Sequence, residues 1–331
     1  MNLACPLEYQ YRASDFARIQ STQAHTIYVV GGLYGNLDAL HALLRMQEDE
    51  KRSGVDVTLV FNGDHNWFNI DEDSFKQINQ IVLEHCAIRG NVEAEVTSAS
   101  AAGCGCNYPD YVNPQYVGYS NAIMAQLQLT ARGFVGLCDG LNQLPLIRTI
   151  DLGGQKIGIV HGDAQNLAGW GFAAERLSPT GKTCSGDQPT APLTARDLID
   201  RYFRDSGVAA FASSHTCLAH AVDFKVDGQE RVIMNNGAAG LPNFANQPFG
   251  LITRISLDPK LPNNSLYGGL FSGLRYDALP VYFDQQSWLT RFNRNWPEGS
   301  AAHTAYFDRV MRGPNFELHD AIGGRFSQTN H

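Results

Sequence analysis

TIYVVGGLYGNLDALHALLRMQEDE, residues Thr26 to Glu50, reads as a buried strand, a glycine turn and an amphipathic helix in direct succession. Thr26 to Val30 form a short apolar run. Leu37, Leu40, Leu43 and Leu44 then recur at helical spacing. The same order repeats downstream. VTLVFNGD (Val57 to Asp64) predicts a second strand, DSFKQINQIVLEH (Asp73 to His85) a second helix, and CAIRGN (Cys86 to Asn91) a third strand. A βαβαβ opening of this kind predicts an α/β fold with a substantially parallel core sheet and right-handed crossovers.

Beyond this opening the pattern loosens and then returns. Ser98 to Tyr116 is rich in Gly, Ala, Cys and Asn and reads as an inserted loop, before helical periodicity resumes at SNAIMAQLQLTARG (Ser120 to Gly133). LIRTIDLGGQKIGIVHGD (Leu146 to Asp163) predicts two strands about a Gly-Gly turn, and TARDLIDRYFRDSG (Thr194 to Gly207) a helix. VAAFASSHT (Val208 to Thr216) predicts a strand, and AVDFKVDGQERVIMNNG (Ala221 to Gly237) a hairpin turning at Asp227-Gly228. LITRISL (Leu251 to Leu257) reads as the last core strand. From about Pro259 the composition shifts to Pro, Asn, Gly and aromatic residues, and a tail wrapped on the core is expected. No repeat or linker interrupts the chain, so residues 1–331 read as one domain.

Composition narrows the function. The 331 residues are 44% hydrophobic and only 18% charged, with a net charge of −8. A nucleic-acid binder needs a basic surface, so none is expected here. No apolar run approaches the roughly 20 residues of a membrane span. The first residues lack the basic-then-apolar pattern of a secretory signal. Seven cysteines, scattered apart from Cys104 and Cys106, argue against a disulfide framework and for a cytoplasmic location.

Four side chains with metal-binding chemistry lie where apolar runs meet polar turns: Asp64, Asn91, His161 and His215. Such positions, at the carboxyl ends of strands, are where α/β proteins carry their sites. One carboxylate, one amide oxygen and two imidazoles form a ligand set suited to Zn²⁺, Mn²⁺ or Fe²⁺.

In the order and spacing of these blocks the chain resembles the calcineurin-like metallophosphoesterases. The family signature runs Asp-x-His-Gly-Asn, Gly-Asp, Gly-Asn-His-Asp/Glu, a His, then Gly-His-x-His. Here GLYGN (Gly32 to Asn36), Gly63-Asp64, GNVE (Gly90 to Glu93), His161 and SHTC (Ser214 to Cys217) stand in that order. NNGAAG (Asn235 to Gly240) is similar to the short strand-turn that follows the fifth block. The resemblance implies a four-layer α/β/β/α sandwich of two mixed β-sheets flanked by helices. Its core would span about residues 26–256, with an extension at about 259–331 packed on it.

The departures from the family pattern fall on one side. One family metal is held by the first-block Asp and His, the shared Asp and the last His, positions that are Gly32, Tyr34, Asp64 and Cys217 here. The other is held by positions that are Asp64, Asn91, His161 and His215, all of them kept. The family's acid/base His is Val92. The resemblance therefore implies a divalent-metal phosphoesterase acting on a small phosphorylated molecule through one well-formed ion site. Its rivals are a weakened relative that binds a phosphorylated ligand or protein partner, and a thiol-based redox protein. Tyr34 and Cys217 either rebuild the first site or fill its volume. His65 and His220 are candidates for the missing acid, or structural residues. Cys104 and Cys106 could bind metal, cycle redox state or pack the loop. Asp163 could orient His161, Trp170 could wall a substrate pocket or pack in the core, Arg89 could meet phosphate or pair with an acid, and Asn36 could support the first block.

Overall fold

A computed structural model describes residues 7–98, 103–178 and 191–329. Residues 1–6 of the segment read for a signal, and residues 99–102 of the Ser98–Tyr116 loop, lie outside the described residues. The strands are β1 (Thr22–Gln23), β2 (Thr26–Val30), β3 (Val57–Phe61), β4 (Cys86–Ala87), β5 (Arg148–Leu152), β6 (Gln155–Ile159) and β7 (Ala210–Ser213). They continue with β8 (His220–Val226), β9 (Gln229–Asn235), β10 (Gly250–Ser256), β11 (Tyr267–Phe271), β12 (Leu274–Val281) and β13 (Ser327–Gln328).

Two mixed sheets result. One has the order β13-β11-β12-β10-β2-β3-β4 and the other β1-β5-β6-β7-β9-β8. The period-2 alternation of side chains assigns each strand two jobs. In β2, Ile27 and Val29 face the second sheet, while Tyr28 and Val30 face the helices Leu37–Arg52 and Glu72–Leu83. In β7, Ala210 and Ala212 face the first sheet, and Phe211 packs with Tyr202 and Phe203 of the helix Arg196–Ser206. Three apolar layers thus separate four layers of structure, helix–sheet–sheet–helix.

The parallel part of each sheet positions the site. β2, β3 and β4 are parallel, as are β6, β7 and β9. Asp64, His161 and His215 follow the carboxyl ends of β3, β6 and β7 within three residues. Both sheets therefore deliver their loops to one edge of the sandwich. Asn62 ties the two sheets there, donating from Nδ2 to the Val160 carbonyl at 3.1 Å.

Two expectations are corrected. β10 is not the last core strand: it lies inside its sheet between β12 and β2, and that sheet takes three later strands, β11, β12 and β13. The segment after Pro259 hides a hairpin because its glycines and aromatics resemble loop composition. Ser272-Gly273, with φ of 49° and 82°, is the two-residue turn between β11 and β12. CAIRGN is also not a strand throughout. Pairing stops at Ala87, and Asn91 opens a short helix, Asn91–Val96, because the Glu93 carboxylate accepts the Gly90 N–H at 3.0 Å.

No helix among the described residues is long and apolar enough to cross a membrane.

Candidate metal centre

The loop after β3 is built around close approach. Gly63 has φ +104°, and a Cβ there would stand 2.5 Å from His161 Nδ1. A Cβ on Gly90 would stand 2.4 Å from Asp64 Oδ1. These glycines let three loops meet at van der Waals distance. Asp64 itself sits at φ 57°, a left-handed conformation that costs free energy and recurs at functional sites. Glu93 holds it there, accepting the N–H groups of Asp64 at 2.8 Å and His65 at 2.9 Å.

The four donor atoms converge. His161 Nε2 lies 3.2 Å from Asp64 Oδ1, 3.0 Å from Asn91 Oδ1 and 3.2 Å from His215 Nδ1. Asp64, His161 and His215 form the metal-competent group found among the described residues. Each of the three neutral donors is anchored by its other polar atom to a backbone carbonyl. His161 Nδ1 meets Asn62 O at 2.9 Å, His215 Nε2 meets Cys106 O at 3.0 Å, and Asn91 Nδ2 donates to Cys104 O at 2.8 Å. That bonding fixes the amide orientation and both imidazole tautomers, so every remaining lone pair points at one centre.

The electrostatics agree. Burial favours the neutral forms throughout. His161 is nevertheless raised because the Asp64 charge and hydrogen bond outweigh burial, and Asp64 is lowered because His161 outweighs its own burial. Burial and then the His161 charge push His215 down to about 3. Acceptors this close in a buried space need positive charge between them. Ligands about 2.0–2.2 Å from a tetrahedral ion stand roughly 3.3 Å apart, close to the spacings observed. The donor set therefore fits a divalent ion.

A cavity of about 500 Å³ opens on Asp64, Asn91 and His215, with His161 behind them. Its walls include Val92, Trp170, Tyr34 and Cys217. The Tyr34 hydroxyl and the Cys217 thiol hydrogen-bond to each other. Burial raises both groups, Cys217 to about 11, so both stay neutral. Each thus takes the other as its hydrogen-bond partner at the cavity wall.

Other expected residues land elsewhere. Asp163 does not orient His161. Its carboxylate accepts the N–H groups of Gln165, Asn166 and Gly171, and the Asn62 carbonyl takes the orienting role. Arg89 donates to Asn142 Oδ1 at 3.2 Å and does not line the cavity. Asn36 caps the helix Leu37–Arg52 and donates to Gly240 O. His65 is fully buried, edge-on to Phe61, and His220 is buried against Ser178; neither lines the cavity. Cys104 and Cys106 are joined by a disulfide, and their carbonyls anchor Asn91 and His215.

The C-terminal segment contributes a wall that the sequence did not announce. Phe68 packs on Phe292 and Tyr306 with ring centroids 5.4 and 5.1 Å away, and Arg309 donates to Cys217 O at 2.6 Å. The available signal was Trp288, Phe292 and Trp296 at helical spacing.

Against solved structures, a metallophosphoesterase from Sphaerobacter thermophilus aligns over 85% of this chain and 99% of its own, at TM-score 0.50 and 16% identity. This chain has the metallophosphoesterase fold. A hypothetical protein from Pyrococcus horikoshii OT3 shares the architecture over 87% of this chain and 98% of its own, at TM-score 0.55 and 13% identity. No protein-family model and no curated protein matches the sequence.

Proposed function

We propose that this chain is a metal-dependent phosphoesterase that works on a small phosphorylated molecule with one tightly held divalent ion. The observation that carries the reading is the convergence of Asp64, Asn91, His161 and His215, with donor atoms 3.0–3.2 Å from His161 Nε2. Mn²⁺, Zn²⁺ and Fe²⁺ all suit this mixed oxygen and nitrogen set. When bound, the ion supplies positive charge to a phosphoryl oxygen and makes water a better nucleophile. The protein's own groups do the rest. Asn91 and the two histidines are pre-oriented by carbonyls, the Asp64 carboxylate provides the charge that retains the ion, and the cavity admits the phosphate from one side. Val92 offers no proton to a leaving group, and absence of a general acid typically costs about 10²–10⁴ in rate. Slow turnover or a narrow substrate range follows. The net charge of −8 favours a small-molecule substrate over nucleic acid.

A second reading, a binder of phosphorylated ligands without turnover, is favoured by the Tyr34–Cys217 closure and by Val92. Assays with a chromogenic phosphomonoester and phosphodiester across the three ions separate them. Turnover that falls in Asp64→Asn supports the enzyme. Thermal stabilisation by ligand without turnover supports the binder.

A further inference from the structure

The cavity is larger than a phosphoryl group requires. At about 500 Å³ it lies within the roughly 300–1,000 Å³ of sites that enclose whole small molecules. Its chemistry is uneven. Trp170 stands edge-on to His215 with ring centroids 5.6 Å apart, so an aromatic wall begins at one of the candidate ligands. Tyr108 extends that wall, 5.9 Å from Trp170. The Trp170 indole N–H donates to Cys106 O at 3.1 Å, which fixes the ring in place before any ligand arrives. A preset aromatic wall binds planar rings at low ordering cost.

Arg309 is the only lysine or arginine among the described residues lining the cavity. It reaches the vacated half-site, spending one N–H on Cys217 O, and its charge acts on both Tyr34 and Cys217. No carboxylate of the described residues forms an ion pair with it. A guanidinium fork that shares a cavity with Asp64 and His215 and has no acid partner matches a phosphate oxygen pair.

We propose that the site selects phosphate esters whose leaving group is a planar aromatic ring, with the ring against Trp170 and Tyr108 and the phosphate bridging from the metal cluster to Arg309. The proposal rests on the metal-site reading above. The leaving-group chemistry converges on it. Val92, at the cavity wall beside Asn91, supplies no proton to a leaving group. Water adds to phosphorus, the bond from phosphorus to the ring oxygen breaks, and that oxygen leaves with the electron pair while the water's proton passes to solvent. A phenolic oxygen of pKa about 10 departs unprotonated far more readily than an alcohol nearer water's 15.7.

Calorimetric titration of the full-length, Mn²⁺-loaded protein with phenylphosphonate and with methylphosphonate tests this without requiring turnover. Phenylphosphonate is expected to bind at least about 10-fold more tightly. Trp170→Leu and Tyr108→Leu should each shrink that ratio while methylphosphonate binding persists. Trp170→Phe, which keeps a ring, should retain most of it. Arg309→Gln should weaken both ligands alike by about 10-fold, with partial recovery in Arg309→Lys. Equal affinities in the wild type, a ratio that survives both leucine variants, or unchanged binding in Arg309→Gln overturns the proposal. One ion per chain with no preference for the phenyl ligand removes this substrate class alone. No retained ion and no binding of either phosphonate removes the metal-site reading and this proposal with it.

Discussion

The two halves of the site hang from the same sandwich edge, yet their polar atoms point in opposite senses. In the half built from Asp64, Asn91, His161 and His215, carbonyls of Asn62, Cys104 and Cys106 take up the outer atoms and leave the inner lone pairs facing a common centre. In the half marked by Tyr34 and Cys217, the side chains bond to each other and Arg309 braces the Cys217 carbonyl. Even the backbone is shared, since Tyr34, Asp64 and Cys217 are all left-handed, at φ 54°, 57° and 58°. The same frame underlies both halves, and the donor atoms converge on one centre in the first while the side chains of the second bond to each other.

Breaking the open half should have the largest effect. His161→Ala removes the donor nearest all three others and should abolish metal retention and any turnover together, read by metal analysis after dialysis; undiminished metal content would refute the ligand assignment. Next comes its scaffold. Glu93→Ala leaves the N–H groups of Asp64, His65 and Gly90 without their acceptor, and should cost about 2–4 kcal/mol in urea unfolding. A loss below about 1 kcal/mol would mean other groups hold the Asp64 loop. Replacing Cys104 and Cys106 together by serine keeps both carbonyls but frees the loop that carries them, so metal affinity should fall by about 10-fold. Affinity that is unchanged would show that the covalent link contributes nothing to the site. The closed half should respond least. Tyr34→Phe deletes one hydrogen bond, which is worth about 0.5–1.5 kcal/mol, and should leave the metal content as it was. A lowered metal content in Tyr34→Phe would instead place the tyrosine oxygen on an ion.

Much of this contrast was legible in the sequence, and the reasons are local. Asp64, His161 and His215 each end an apolar run, and the parallel strands of the two packed sheets carry them to one edge. Asn91 is marked in the sequence by the Gly-Asn pair, although it opens a helix. The orienting partners were not legible, because a backbone carbonyl can belong to any residue. Asp163 looked suitable by type and adjacency, but three backbone N–H groups claim it first. Arg89, beside a site block, similarly turns to Asn142. The wall carrying Arg309 comes from a helix far along the chain, Ala301–Arg312, and only tertiary packing brings it to Cys217. The β11–β12 hairpin escaped because glycines and aromatics in a strand imitate a loop in composition.

Counting metal ions in the purified full-length chain, after saturation with Mn²⁺, Zn²⁺ or Fe²⁺ and exhaustive dialysis, decides whether Asp64, Asn91, His161 and His215 hold one ion. One ion per chain is expected in the wild type and none in His161→Ala. Two tightly retained ions, or none with any of the three metals, would contradict that assignment.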